Sequence, residues 1–535
     1  MHTDPLDYPY ASRRMLSYGH RGMVATSQPL AAQAGMSMLR QGGNAIDAAI
    51  ATAAALTVVE PTSNGIGSDA FALVWVKGRL HGLNASGPSP RALTPEAVRA
   101  AGHDHMPDHG HTPVTVPGAP GAWATLSERF GRLPLAQVLA PAIDLARDGY
   151  AASPVISMLW QRAYDEYKAY KSPEVQPWFD HFAPDGHAPE AGTLWRSSDM
   201  ADTLSAIADS DARAFYSGAL ADRIEAFSKQ HQGYLYKSDL AAFSPEWVDP
   251  ISISYGDHDI WELPPNGCGL IALEALGILN ALKPEASDPA ERLHQHIEAT
   301  KLAYVDGLKH ITEPDAMRLT PDDLLSEAYL SQRADSIGGR ALDPEPGQPL
   351  QGGTVYLATG DSEGNMVSFI QSNFDGFGSG LVVPGTGISL QNRGSSFSLN
   401  ADDVNALAPG KRPYHTIIPG FITRQQEAIG PFGVMGGHMQ PQGHVQVLSS
   451  MLSDGLNPQS ALDRHRWKWT EGRTIEIEPD FPEDLALALA RRGHHIVRTR
   501  SRLSFGRGQI IIRDPRTDVM QGATEPRTDG VALPW

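Results

Sequence analysis

One cysteine, Cys268, stands alone in 535 residues. Its isolation excludes an internal disulfide framework and any metal site built from cysteines. Long apolar runs are missing too. The most apolar stretch, Ala45 to Val59, contains Asp47 and is too short to span a bilayer. Positive charge is in deficit, with 43 Lys and Arg against 61 Asp and Glu and a net charge of -18. That balance argues against a nucleic-acid partner or an anionic membrane surface. The start, Met1 to Gly22, is polar and has no apolar signal-peptide core, so a cytoplasmic protein is expected. Gly376 to Gly380 is glycine-rich, but no Lys-Ser/Thr follows, which excludes a phosphate-binding loop of the nucleotide type.

What is present reads as an α+β protein. Asn44 caps an alanine-rich helix over Ala45 to Val58, apolar nearly all round and so destined for a large core. Phe71 to Val76 reads as a buried strand. Helical spacing recurs at Ala122 to Phe130, Ala136 to Ala146, Met200 to Ala208 and Leu293 to Leu308. The proline-rich stretch Ala341 to Pro349 is the one candidate linker. Beyond it the pattern turns to short strands, then to a helix at Gly443 to Leu452. The expectation is a helical first part and a strand-rich last third.

Just after the linker, Gly352-Gly353-Thr354 opens a β-patterned run to Asp361, followed by a turn and a second apolar run from Met366 to Gln371. A threonine with no free amine beside it is a poor nucleophile at neutral pH. Cleavage before Thr354 would place an α-amine, with a pKa near ~8, next to the hydroxyl as its base. Thr354 is therefore either an ordinary strand residue or the buried N-terminus of a second chain.

Several segments in a fixed order resemble the γ-glutamyltransferase family of N-terminal-nucleophile hydrolases. They are Gly42 to Ala49 with Val59-Glu60-Pro61, Val116-Pro117-Gly118, Phe215 to Gly218, Glu298 to Tyr304, the Thr354 run, Gly436-Gly437, and Asp454 to Pro458. The resemblance implies a four-layer αββα sandwich and a precursor that cleaves itself between Gly353 and Thr354. Residues 1–353 and 354–535 would then form a heterodimer sharing one structural core, with further oligomerisation open. It implies Thr354 as nucleophile, Gly436 and Gly437 as the oxyanion hole and Ser372 as an assisting hydroxyl. No cofactor and no metal are implied, and the partner is a small-molecule amide.

The resemblance breaks where the family grips the two charges of a γ-glutamyl group. Ser86 stands at the place of the carboxylate-binding arginine, and the next arginine is Arg91. Arg393-Gly394-Ser395-Ser396 replaces the acidic pair that holds the ammonium, and His415-Thr416 replaces paired serines. A cationic arginine cannot attract an ammonium. Arg393, His415, Thr416 and Ser86 suit instead a small or anionic acyl group with no amine, as in the amidohydrolase branch with its cephalosporin-acylase-like and oxamate-amidohydrolase-like members. Two alternatives stay open: a γ-glutamyltransferase or glutathione hydrolase, and an unprocessed, inactive relative that serves as a binding protein. The densest cluster of ligand-type residues, His103, Asp104, His105, Asp108, His109 and His111, is irregular in spacing and expected to be a solvated or lid loop rather than a metal site.

Overall fold

The computed structural model describes residues 14–282, 287–344 and 353–535. Most of the polar start lies outside these residues, as do Gly352 and the second half of the proline-rich stretch. Helix and sheet are mixed throughout, and two seven-stranded sheets carry the architecture.

The first sheet runs, edge to edge, Val531–Pro534, Gly22–Thr26, Gly353–Asp361, Met366–Phe374, Asp69–Val76, Arg79–Ala85 and Glu246–Val248, with every neighbouring pair antiparallel. The second runs Ser17–Gly19, Met520–Thr524, Arg507–Arg513, Glu427–Met435, Gly420–Arg424, His258–Glu262 and Ile251–Tyr255. Each sheet takes strands from both sides of Gly353. The expected division into a helical first part and a strand-rich last third is therefore too simple. Of the earlier strands the sequence reading anticipated Asp69–Val76, as Phe71 to Val76, and missed the others, several of which are only three to five residues long.

Side chains alternate along the central strand, as strand geometry requires. Tyr356 and Ala358 join a cluster with Phe71, Ile370, Phe421, Met435, Ile511 and Met520, which draws on both sheets. Val355 and Leu357 point the other way, into a cluster with the helix Ala45–Val59 and further helices of the first part. The second sheet contributes Ile260, Ile422, Phe432 and Ile510 to a third cluster, with the helices Gly269–Ala281, Pro289–His310 and Met439–Leu452.

The helix Ala45–Val59 is buried along its whole length, and Asn44 with Asp47 closes a capping box at its start. Asp361 accepts from the Ala45 N–H at 2.9 Å, tying the far end of the central strand to that helix. Two helices begin earlier than their periodicity predicts. Ala119–Phe130 starts ahead of Pro120, and Met439–Leu452 starts ahead of Pro441. Proline fits the first turn because the N–H it lacks has no helical partner there. Upstream of the candidate cleavage site, Leu342 is held by its backbone: Glu298 accepts its N–H at 2.9 Å and the Lys301 ammonium donates to its carbonyl at 3.2 Å. Among the described residues no helix is long and apolar enough to cross a membrane.

Candidate active site

Thr354 is fully buried at the head of the central strand. Pairing there is irregular: Gly353 faces Phe374, Val355 faces Gln371, and the register slips between them. The extra residue puts both Ser372 and Asn373 opposite Thr354, a bulge that re-aims a side chain. Ser372 takes that place. Its hydroxyl accepts from Thr354 Oγ1 at 3.1 Å and from the Phe374 N–H at 2.8 Å, and donates to the Gly353 carbonyl at 2.7 Å. One hydroxyl thus links the threonine to the carbonyl of the preceding peptide bond. Phe374, which ends the bulged strand, has φ 77°, strained backbone of the kind that gathers at functional sites. A side chain on Gly353 would bring its Cβ to 3.0 Å from the Gly376 nitrogen, a tight approach that favours glycine there.

The glycine pair lies at the mouth of the helix Met439–Leu452. Gly436 and Gly437 have φ of 135° and 58°, and a Cβ on Gly436 would meet Gly506 Cα at 3.0 Å. Gln440, in the first turn of that helix, reaches Thr354 Oγ1 at 3.5 Å through Nε2, while its Oε1 accepts from the Ile418 N–H at 3.1 Å. The helix therefore brings the glycine turn to the threonine, with its N–H-rich end toward the site. Nothing in the sequence reading singled out Gln440.

Beside the threonine lies a buried, charged cluster. Asp69, at the head of the strand Asp69–Val76, pairs in register with Ser372. Its Oδ2 accepts from Arg393 Nε at 3.4 Å and from His415 Nε2 at 2.9 Å, and all three side chains are fully buried. Arg393 also donates through Nη1 to Thr416 Oγ1 at 2.7 Å and lies over the Phe374 ring, 4.5 Å from its centroid. Its second terminal nitrogen, Nη2, is buried with no partner. Burial draws the Arg393 pKa down to about 10, opposed by Asp69, so the guanidinium stays charged at neutral pH. Burial, and then Arg393, push His415 down to about 4, so its imidazole is neutral and donates to Asp69 through Nε2. Ser395 Oγ and His438 Nδ1 are further buried polar atoms without partners, and His438 directly follows the glycine pair.

The structure thus brings together Thr354, Ser372, Arg393, His415 and Thr416. Ser86 sits at the edge of this group in a separate amide network, donating to Asn84 Oδ1 at 2.7 Å and accepting from Asn266 Nδ2 at 3.2 Å. Arg91 is exposed, its backbone N–H bonded to Asp239, so it does not replace the missing arginine at Ser86. Asp69 and Asn266 escaped the sequence reading. The one available signal for Asp69 was a carboxylate at the head of an otherwise apolar strand.

The histidine-rich loop borders the site without gathering its side chains. His103 and His105 are exposed, His109 faces Glu166 at 3.3 Å, and His111 is buried 3.9 Å from Glu174. Its backbone instead supports the pocket: the Asp108 carbonyl accepts from Asn392 Nδ2 at 2.9 Å, and the Pro113 carbonyl from the Gly394 N–H at 2.8 Å. Elsewhere His294, Glu298 and His494 lie close enough to share a cation. Lys301 Nζ, 2.8 Å from the Glu298 carboxylate, already supplies that charge.

Comparison with known proteins adds the lineage. A profile described as gamma-glutamyltranspeptidase matches residues 31–535. The chain is 34% identical over 528 residues to the glutathione hydrolase-like YwrD proenzyme of Bacillus subtilis, covering 96% of this chain and 98% of that one. It is 34% identical over 525 residues to the oxamate amidohydrolase proenzyme of Klebsiella pneumoniae, again covering 96% and 98%. Among solved structures, a cephalosporin acylase from Bacillus halodurans superposes with a TM-score of 0.97 at 58% identity, over 100% of this chain and 99% of that one. A buried threonine behind a glycine, a glycine pair at a helix mouth and relatives named as hydrolases and acylases lead to one statement of lineage: the chain belongs to the gamma-glutamyltranspeptidase family.

Proposed function

We propose that this protein is a self-processing threonine amidohydrolase that hydrolyses a small amide with an anionic acyl group. The observation that carries the reading is the Ser372 hydroxyl set between Thr354 Oγ1 and the Gly353 carbonyl oxygen. In the precursor the Thr354 hydroxyl attacks the Gly353 carbonyl carbon. The C–N bond breaks, the proton passes from oxygen to the leaving nitrogen, and an ester remains. Water then cleaves that ester, leaving a Gly353 carboxylate and a free Thr354 amine. Residues 1–353 and 354–535 become two chains held in one core, because both sheets take strands from each. The alternating clusters on either side of the two sheets favour the four-layer αββα sandwich as the frame of that core.

Turnover repeats the chemistry on an external amide. The freed amine takes the hydroxyl proton, Thr354 Oγ1 bonds to the substrate carbonyl, and the N–H groups of Gly436 and Gly437 receive the developing oxyanion. A donor of that kind contributes about 3 kcal/mol to the transition state. The leaving nitrogen departs with the proton, and water hydrolyses the acyl-enzyme. Arg393, His415 and Thr416 shape the acyl pocket, with Ser86 at its edge.

A glutathione hydrolase is the second reading, favoured by the YwrD relative's name. Against it stands Arg393, whose buried charge repels the ammonium of a γ-glutamyl group. The test is a comparison of kcat/KM on processed enzyme. Oxamate or a glutaryl amide is expected to exceed γ-glutamyl-p-nitroanilide by about 10²-fold, the scale set by an unmet buried charge. Equal rates on the two classes would sink the amidohydrolase reading. A single 57.6 kDa band on denaturing electrophoresis after long incubation would point to an unprocessed binding protein instead.

A further inference from the structure

The acyl pocket holds one fixed cation, one fixed anion and one imidazole that can change its charge. Arg393 Nε and His415 Nε2 share a single oxygen, Asp69 Oδ2, at 3.4 and 2.9 Å, and all three side chains are fully buried. Without a ligand the pocket is electrically balanced: Arg393 positive, Asp69 negative, His415 neutral. Arg393 Nη2 remains as a buried donor with nothing to bond. A substrate carboxylate docked there would satisfy that donor but leave two anions facing one cation in a buried site. Such an excess charge is costly unless a neighbour titrates to meet it.

Few groups are placed to titrate. Asp69 and Arg393 are the charged groups that act on His415. The Phe71 ring packs against its imidazole at 4.7 Å, and the Cys268 N–H bonds its carbonyl. Burial holds the Cys268 thiol up near 12 and the Tyr414 phenol above its ordinary value, so both are neutral. His438 is held down to about 4 by burial and then by Arg393, and it lacks the carboxylate that His415 already touches. An anion docked on Arg393 would act on His415 by offsetting the guanidinium charge that, after burial, holds the imidazole neutral.

We infer that His415 is the specificity-determining residue of this pocket: docking of a carboxylate on Arg393 Nη2 is coupled to uptake of one proton from water at His415 Nδ1, which now accepts from the Ile417 N–H at 3.4 Å and gives up that bond. The result is an ion quartet of two carboxylates, one guanidinium and one imidazolium, with no net charge. Docking an ammonium in the same place would put like charges together and has no such remedy. The pocket therefore selects acyl groups by the proton they bring in as well as by the charge they carry. This rests on the amidohydrolase reading for its substrate and on geometry for its coupling.

Oxalate, a dicarboxylate with no scissile bond, is the probe. Titration calorimetry of the full-length processed protein, in buffers of differing ionisation enthalpy, counts protons per oxalate bound. Near one proton is expected between pH 5 and pH 6, with affinity weakening by up to about tenfold per pH unit over the window in which the bound imidazole titrates. His415→Asn keeps Arg393 and is expected to bind oxalate with no proton uptake. Binding of oxalate to the wild type without proton uptake, or an unchanged uptake in H415N, would overturn the inference. So would the absence of any oxalate binding. The wild-type measurement stands even if the variant fails to fold. Because calorimetry needs no turnover, a protein that takes up the proton yet hydrolyses no amide would sink the enzymatic reading and leave the coupling intact.

Discussion

Two ends of one site differ in how completely their polar groups are satisfied. Around Thr354, the Ser372 hydroxyl accepts from two donors and donates to the Gly353 carbonyl, and Gln440 bridges Thr354 to the Ile418 N–H. In the acyl pocket, Arg393 Nη2, Ser395 Oγ and His438 Nδ1 are buried with no partner. Each such orphan costs about 1–3 kcal/mol. On the proposed function the difference follows from where each end would find its substrate: the Gly353 carbonyl is part of the chain, whereas an acyl group would come from outside and meet the unpartnered atoms.

The largest break in the comparison is at the nucleophile itself. Thr354→Ala is expected to leave a single full-length chain on denaturing electrophoresis and to lower amide turnover by about 10⁴-fold or more. The pocket end would be untouched, so oxalate should still bind. A T354A protein that separates into two chains would remove the threonine from the mechanism.

Ser372→Ala tests whether the bulge serves chemistry or only packing. The change deletes the hydroxyl donor to the Gly353 carbonyl and leaves a small buried residue in its place. Cleavage is expected to slow by about 10²-fold, the effect of removing one donor from a developing oxyanion. A time course of the two bands measures it. Cleavage at the wild-type rate would reduce Ser372 to a space-filling strand residue.

Thr354 was picked out locally, as a glycine-glycine-threonine head on a β-patterned run, and Ser372 by the family resemblance; the structure sets the two hydroxyls 3.1 Å apart. The pocket was half legible. Arg393, His415 and Thr416 stood out as departures, but Asp69, the carboxylate they share, lies more than 300 positions away in the chain. Only the pairing of Asp69 with Ser372 brings it to the site. Ser86 occupies the right stretch yet turns to Asn84 and Asn266, since its short hydroxyl finds partners nearer than the pocket. Two helices were read as starting three and four residues late, after Pro120 and Pro441, though both prolines sit in first turns. Of the early strands, Phe71 to Val76 was read within Asp69–Val76 and the others were not.

Arg393→Met sharpens the contrast from the pocket side. Loss of a charge-assisted contact is expected to cut kcat/KM for an anionic-acyl amide by about 10²-fold, while an uncharged acyl amide loses far less. Self-cleavage should persist, because its acyl group is the chain itself. The variant should also melt lower, as Asp69 would lose its buried cation. Equal loss on charged and uncharged substrates would mean that Arg393 holds the fold and does not read the acyl group.

The smallest effect concerns stability against pH, and its sign can be worked out. His111, His415 and His438 are held down to about 4, and His494 to about 3, in each case first by burial. An imidazole with a depressed folded pKa stays neutral in the native state while the unfolded chain takes a proton below about 6.5. The unfolded state then binds more protons, so stability falls as pH drops from 6.5 toward 4. Glu60, raised by burial to about 7, opposes this, because its protonated native form loses stability as pH rises toward 7. Asp375, raised to about 6 on the cleft, acts the same way more weakly. Glu274 and Glu262, also raised by burial, add to the carboxyl side; the four imidazoles each lose stability over about the full window, so the melting temperature is expected to fall by a few degrees, roughly, between pH 6.5 and 4.5. Two of the four line the acyl pocket and none touches Thr354. H415N should therefore flatten the pH slope of the melting temperature, whereas Ser372→Ala should leave it unchanged. Scanning calorimetry across that range separates the two, and an equal slope in both variants would show that the pocket's titrating groups do not set it.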